Sequence, residues 1–498
     1  MTPLALLRGA TLHVAGGAPA HCAARWLVDL GASLGAAADA DVHLLAGAAA
    51  QLATAARGAV PPRIVAAITP FGLDGPRAGW RSDDTVAQAL GGMLWLNGPA
   101  DQPPLRALGR QAEECAGLQA ALGVALALLA RARGGPAGQV IDVSVHESVV
   151  ASLEHVTGRY RQDGSIASRQ GSLHWSGAFR IGWCADAPLL LSHLGDWAAL
   201  REWLIADGAA GDLAAPEWDD EARRRAHAPH VFDVLDAWAR RYRRDDLLAR
   251  AALLRLPFAP LLPVDAQADA SWCAVRRSPA PRVPHAAAVL PLDGVRVLDF
   301  TWVVAGPLAT RVLADFGAAV VKVERPDAPD GDQRRGGLFG NLNRGKQSLA
   351  LDLRRAADLA LARRLAAAAD VVVDNFSPRV MANWQLDAAA IHAANPRAVV
   401  ASLSAFGGGD ARVGYGPTVQ ALAGFSWHMR HPGGAPAGLG FAYADVASGY
   451  AAALAIVAAL WRRERDGGGT ALDLAQLGVA RRLLPAAALP DAVGNAAP

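Results

Sequence analysis

The sequence predicts a doubly wound α/β protein, with parallel-sheet, Rossmann-like large domains present twice and one smaller α+β domain between them. Three observations carry that expectation. The second half reads strand, helix, strand in short apolar blocks, the order of a right-handed β-α-β unit in a parallel sheet. Segments of the first half return in the second at a fixed spacing: Gln88-Ala89-Leu90 as Gln420-Ala421-Leu422, and Gly117 as Gly449, both 332 residues later. Residues 165–275 have no counterpart elsewhere in the chain.

In the first half, Val14-Ala15-Gly16-Gly17 through Leu30-Gly31-Ala32 parallels Val304-Ala305-Gly306-Pro307 through Phe316-Gly317-Ala318. The spacing is 290 residues at Val14, 286 at Gly31 and 335 at Pro70-Phe71-Gly72 against Ala405-Phe406-Gly407. The first copy therefore lacks about fifty residues, equivalent to roughly Val320 to Ala369. Residues 1–160 are expected to form this degenerate large domain.

Within 165–275, Phe179–Cys184 and Pro188–Ser192 read as a hairpin turning at Ala185-Asp186. Asp196 is placed to cap a helix carrying Trp197, Leu200 and Trp203. Further helices cover about 219–225, 231–242 and 245–253, which makes this the small α+β domain. Ser278-Pro279-Ala280-Pro281-Arg282-Val283-Pro284 cannot continue a helix or a central strand, so 276–290 is read as a connector. Beyond it, Val295–Phe300 is a strand, and a helix after Ala305-Gly306-Pro307 carries Leu308, Val312, Leu313 and Phe316 on one face. Gly317 stops that helix, and Ala319–Val323, Val371–Val373 and Ala398–Leu403 are further buried strands. A second large domain is expected over 291–485 and a flexible tail over 486–498.

Composition narrows the function. The chain is 52% hydrophobic and 19% charged with a net charge of +2, so it has no global basic field for nucleic acid, and its expected partners are small molecules. Cys22, Cys115, Cys184 and Cys273 are scattered with no Cys/His cluster, which predicts neither a disulfide framework nor a metal site and fits a reducing cytoplasm. The most apolar runs, 120–130 and 450–461, fall short of the roughly 20 residues of a bilayer span. They are read as buried helices, with no membrane contact. Lysine occurs only at Lys322 and Lys346.

The second half carries, in order, Leu292-Asp293-Gly294-Val295-Arg296-Val297-Leu298-Asp299, Ala305-Gly306-Pro307, Lys322-Val323-Glu324-Arg325, Asn343-Arg344-Gly345-Lys346, Leu351-Asp352-Leu353, Asp374-Asn375-Phe376-Ser377-Pro378 and Asp445-Val446-Ala447-Ser448-Gly449. In this it resembles the class III (CaiB/BaiF-type) coenzyme A transferases. The first half is similar to the same family from about Gly58 to Val150, and 165–275 looks like the family's small domain. The resemblance implies Asp445 as the catalytic carboxylate. It also implies a CoA site at Val303, Arg325, Leu351, Arg354, Asn375 and Phe376, in which Arg354 stands where lysine is usual and Asn383 where arginine is common. The implied substrates are acyl-CoA and a free carboxylic acid, with no permanently bound cofactor and no metal. In the implied reaction Asp445 forms an acyl anhydride and then an aspartyl-CoA thioester. That chemistry needs an ionised carboxylate, and the start of the apolar helix 446–461, with its dipole and free N–H groups, favours the charged form.

The 332-residue spacing pairs Asp445 with Glu113, whose extra methylene and missing CoA segments argue against a second site. Subunits of the family interlock, each site combining one subunit's large domain with the other's small domain. The chain is therefore expected to be an intramolecular pseudo-dimer with one site, a homodimer being the other assembly considered. Two alternatives remain at this level. An acyl-CoA racemase or epimerase needs a His beside the Asp; Tyr415 stands at that position, with His428 and His431 nearby in sequence. The other is an inactive CoA-binding or scaffold paralogue.

Overall fold

The structure is a computed structural model describing residues 4–48, 63–264, 271–283, 289–327, 334 and 337–484. The expected tail 486–498 and residues 284–288 of the connector lie outside them. The first half supplies β1 (Thr11–Ala15), α1 (Ala18–Asp29), β2 (Ser33–Leu34), β3 (Val42–Ala46), β4 (Ile64–Thr69), α2 (Asp84–Leu90), α3 (Gln111–Ala132), β5 (Gln139–Ser144), α4 (Val145–Ala151) and α5 (Glu154–Asp163). Its strands form one parallel sheet in the order β2-β1-β3-β4-β5. The small domain contains β6 (Phe179–Trp183), β7 (Pro188–Ser192), α6 (Trp197–Ala206), α7 (Glu221–Ala226), α8 (Ala228–Ala239), α9 (Arg244–Leu253) and β8 (Ala259–Pro260). Its three strands are antiparallel, and Asp196 caps α6 by accepting from the Ala199 N–H at 3.0 Å.

The second half adds β9 (Cys273–Ser278), β10 (Arg296–Asp299), α10 (Ala305–Asp315), β11 (Ala319–Glu324), α11 (Gly337–Asn343), β12 (Lys346–Ala350), α12 (Ala356–Ala368), β13 (Val371–Asp374), α13 (Ala388–Ala394), β14 (Val399–Ser404), α14 (Gly416–Leu422), α15 (Tyr443–Asp466), β15 (Gly469–Ala475) and α16 (Gln476–Arg482). The second sheet runs β12-β11-β10-β13-β14-β15-β9. Its five middle strands repeat the order of the first sheet.

Two expectations change. The first sheet has β2 paired with β1 where the second has β11 paired with β10, so a short strand stands where none was expected. Residues 276–278 belong to β9, which pairs antiparallel with β15, so the connector begins after Ser278. Ser278 precedes the first proline of the connector, and the strand ends where the ladder would lose a donor.

Helices α3 and α15 begin 332 residues apart, as do α2 and α14. At 22 and 24 residues, α3 and α15 are long and apolar enough to cross a membrane, contrary to the length read from their apolar runs. Their apolar surface is spent on each other, in one core shared by the inner faces of both sheets. The repeated glycines explain themselves there. A Cβ on Gly117 would lie 2.4 Å from Cys22 Cβ in α1, and one on Gly449 would lie 2.8 Å from the Ala305 carbonyl in α10. Each half of the chain thus needs a bare backbone where its long helix crosses a neighbour.

A second bare contact joins the halves. A Cβ on Gly337 in α11 would sit 2.1 Å from the Gly158 carbonyl of α5. Beside it the buried Arg311 of α10 pairs with Glu154 of α5 at 2.7 Å. Gly337→Ala is expected to destabilise the fold by about 1–3 kcal/mol, the usual scale of overpacking. A urea midpoint equal to the parent's would mean that these helices do not touch.

Candidate active site

Open parallel sheets bind ligands beyond the carboxyl ends of their strands, where the strand order reverses. In the second sheet that point lies between β10 and β13. Trp302, Val303 and Val304 follow β10, Asn375 and Phe376 follow β13, and all five line a cavity of about 120 Å³ together with Asp445.

The loop after β10 is held from below by buried charge. Asp299 accepts from the Thr301 N–H (2.8 Å), the Thr301 and Thr310 hydroxyls (2.5 and 2.7 Å) and Lys346 Nζ (3.0 Å). Lys322 Nζ donates to the Thr301 carbonyl at 2.5 Å. Both lysines of the chain are therefore committed to this loop. Burial would raise the Asp299 carboxyl, but the Lys346 and Lys322 ammonium groups outweigh it and hold it below the ordinary range. From the side, Asn375 accepts from the Trp302 N–H and donates to the Trp302 carbonyl, both at 2.9 Å. The clamp carries Val303 at φ +65°, a left-handed conformation that costs a β-branched residue on the order of 1–3 kcal/mol. Such strain persists only where the surroundings enforce it.

Asp445 is the third residue of α15, as its place before the apolar run predicted. Its charge differs from expectation. Among the described residues no hydrogen bond or ion pair reaches the carboxylate, and burial pushes its pKa up to about 7. Desolvation here exceeds the pull of the helix start. The space for the carboxylate comes from Gly416, where a Cβ would lie 2.1 Å from Oδ2.

Asp445 also faces a second, larger chamber of about 760 Å³. Its walls come from three parts of the chain: Trp302 and Val303 of the second large domain, His155 and Arg159 of α5, and Trp175 and Phe179 of the small domain. The His155 ring stacks on Trp175 at 4.2 Å, and Phe179 lies 5.8 Å from Tyr415. Burial lowers both His155 and His174 to about 3, so both rings are neutral.

The corresponding place in the first half is built differently. Glu113 is likewise the third residue of its helix, α3, but it pairs with Arg110 at 3.3 Å. The residue equivalent to Gly416 is Asp84, whose Oδ1 accepts from the Ala112 and Glu113 N–H groups at 2.9 and 3.1 Å. A side chain therefore fills there the space that Asp445 uses in the second half. Glu113 faces a cavity of about 270 Å³.

Of the residues expected at the site, Asp445, Val303, Asn375 and Phe376 converge on one cavity. Arg325 and Arg354 do not line it. They stand exposed after β11 and β12, both paired with Asp327, at 3.2 and 3.4 Å. Leu351 does not line it either: its side chain is buried in the core behind β11 and β13, because it closes β12 by donating its N–H to the Glu324 carbonyl at 2.9 Å. His428 accepts from the Val264 N–H and His431 bonds the Pro103 carbonyl, and neither faces Asp445. The sequence reading missed His155, Trp175 and Gly416. Only Gly416 left a signal, since it sits 332 residues after Asp84.

Comparison with known proteins adds the following. The sequence profile of CoA-transferase family III matches residues 43–281 and 292–498. A Mycobacterium tuberculosis protein named a probable CoA-transferase is 29% identical over 490 residues, covering 83% of this chain and 60% of its own. The succinate–glutarate CoA-transferase of Agrobacterium fabrum is 36% identical over 211 residues, 39% of this chain and 53% of its own. The chain thus spans a little over half the length of these relatives. Among solved structures, a CAIB/BAIF family protein from Brucella suis is 31% identical, with a TM-score of 0.39, covering 42% of this chain and 59% of that one.

Proposed function

We propose, from the premise that the chain belongs to CoA-transferase family III, that it moves CoA between an acyl-CoA and a free carboxylic acid through covalent intermediates on Asp445. The observation that carries this reading is the placement of Asp445: an unpartnered carboxylate where a narrow slot meets a broad chamber, at the strand-order reversal of the second sheet. The relatives named above are CoA-transferases by name, which supports the same reaction class.

In the proposed reaction the Asp445 carboxylate attacks the thioester carbonyl, the C–S bond breaks, and CoA leaves as thiolate. The thiolate attacks the aspartyl carbonyl of the resulting anhydride, releasing the donor acid and leaving an aspartyl-CoA thioester. The acceptor carboxylate then repeats both steps in reverse and frees Asp445. Pantetheine occupies the slot along Asn375 and Phe376, and the phosphates meet Arg325 and Arg354. The α10 helix, which opens without a side-chain cap, leaves N–H groups facing the same loop. Racemisation would need a basic His beside Asp445; Tyr415 holds that place, and the two histidines of the chamber, His155 and His174, are lowered by burial to about 3 and are poor bases near neutrality. Transfer is the better reading.

The assembly proposed with it is a pseudo-dimer inside one chain. The shared strand order, the 332-residue spacing of α3 and α15, and the chamber walls from α5 and the small domain support it. One site results, because Asp84 fills its counterpart.

Double-displacement kinetics with an acyl-CoA and a labelled acid test the reading; hydrolysis without transfer would contradict it. The pH dependence has a definite sign. Asp445 attacks only when ionised, so kcat/KM should rise about tenfold per unit below pH 7 and level above it. A profile flat from pH 5 to 9 would remove Asp445 from the attacking role.

A further inference from the structure

The chamber beside Asp445 says which acyl group the site takes. Its inner surface is aromatic and aliphatic: the stacked His155–Trp175 pair, Phe179, Leu338 and Phe339 surround the space next to the carboxylate. At about 760 Å³ it has the size of pockets that hold drug-sized molecules, far beyond a two- to five-carbon chain.

Most of the charges around it are already committed. Lys322 is turned to the Thr301 carbonyl and shares the Asp299 charge with Lys346. Arg225 is held by Glu221 at 2.7 Å and by the Ser176 carbonyl at 3.0 Å. His155 and His174 are uncharged because burial lowers both. Arg159 stands exposed, one helical turn beyond His155. Among the described residues, the one cation of the lining without a protein partner is therefore the solvent-exposed Arg159. A second carboxylate buried away from Arg159 would be desolvated without a partner, the costliest way to bury a charge.

We infer that the acyl group carried by this site is bulky, ring-bearing and uncharged at its far end, and that short dicarboxylic acyl groups are poor substrates. The inference rests on the transfer reading given above and adds the substrate class to it. The flat His155–Trp175 face is suited to a planar ring, which stacks on aromatic walls with geometry an alkyl chain does not need.

The test compares 3-phenylpropanoyl-CoA with succinyl-CoA in two arms on the full chain. In the covalent arm, the rate of adduct formation on Asp445 is expected to be at least tenfold faster with the phenylalkanoyl thioester. In the binding arm, calorimetry on Asp445→Asn ranks the same two thioesters without chemistry, with at least tenfold tighter binding expected for the phenylalkanoyl compound. Trp175→Ala should shrink that ratio several-fold. Equal or tighter binding of succinyl-CoA overturns the inference, and so does a ratio unmoved by Trp175→Ala. Absence of any adduct with the ranking intact would sink the transfer reading while leaving the chamber's selectivity standing.

Discussion

Replacing Asp445 by asparagine is expected to lower transfer by about 10⁴-fold or more, the scale seen when an enzyme loses its attacking group, without unfolding the protein. The structural reason for the second half of that statement is the unpartnered carboxylate. Its folded pKa of about 7 lies above the unfolded value near 3.9. The folded state thus binds the proton more tightly, so this group's contribution favours folding below pH 4 and is lost as pH rises through 7. Asp445→Asn removes that burden and should melt no lower than the parent at pH 8. Residual transfer within tenfold of the parent would assign the chemistry to another group, and Glu113→Ala would then be the variant expected to lose it.

The second large effect concerns a residue with no side chain. Gly416→Ala places a methyl where Oδ2 of Asp445 lies, 2.1 Å away, so the carboxylate must move. A displacement of about 1 Å can cost ~10²-fold in rate. Gly416→Asp installs the arrangement the first half already has, where Asp84 binds the start of α3, and should leave no measurable transfer. Both variants are expected to stay folded, because the first half shows the same local backbone carrying that side chain. The converse change, Asp84→Gly, should cost about 1 kcal/mol of helix capping and bring no activity to Glu113. Retention of full rate in Gly416→Ala would mean that Asp445 reacts from a different rotamer.

Four strands of the second sheet, β10, β11, β13 and β14, could be read from short apolar blocks punctuated by Gly317 and Pro307, because a buried parallel strand is nearly all apolar. The 332-residue spacing survived in the structure for the same reason: Gly117 and Gly449 both sit where two helices touch backbone to backbone. What the sequence hid was decided at long range. His155 and Trp175 share a chamber with Asp445 only through long-range contacts, among them the glycine pair at which α5 meets α11. Leu351 turns into the core behind β11 and β13, which a motif match does not reveal. The start of α15 was legible as a favourable place for a carboxylate; the desolvation that raises the Asp445 carboxyl there was not.

The account stands or falls on one covalent site at Asp445. Incubation with an acyl-CoA, trapping by hydroxylamine or borohydride, and peptide mapping by mass spectrometry should give a single modified carboxylate per chain, at Asp445. Modification at Glu113, at both acids, or at neither with transfer still proceeding, would contradict it.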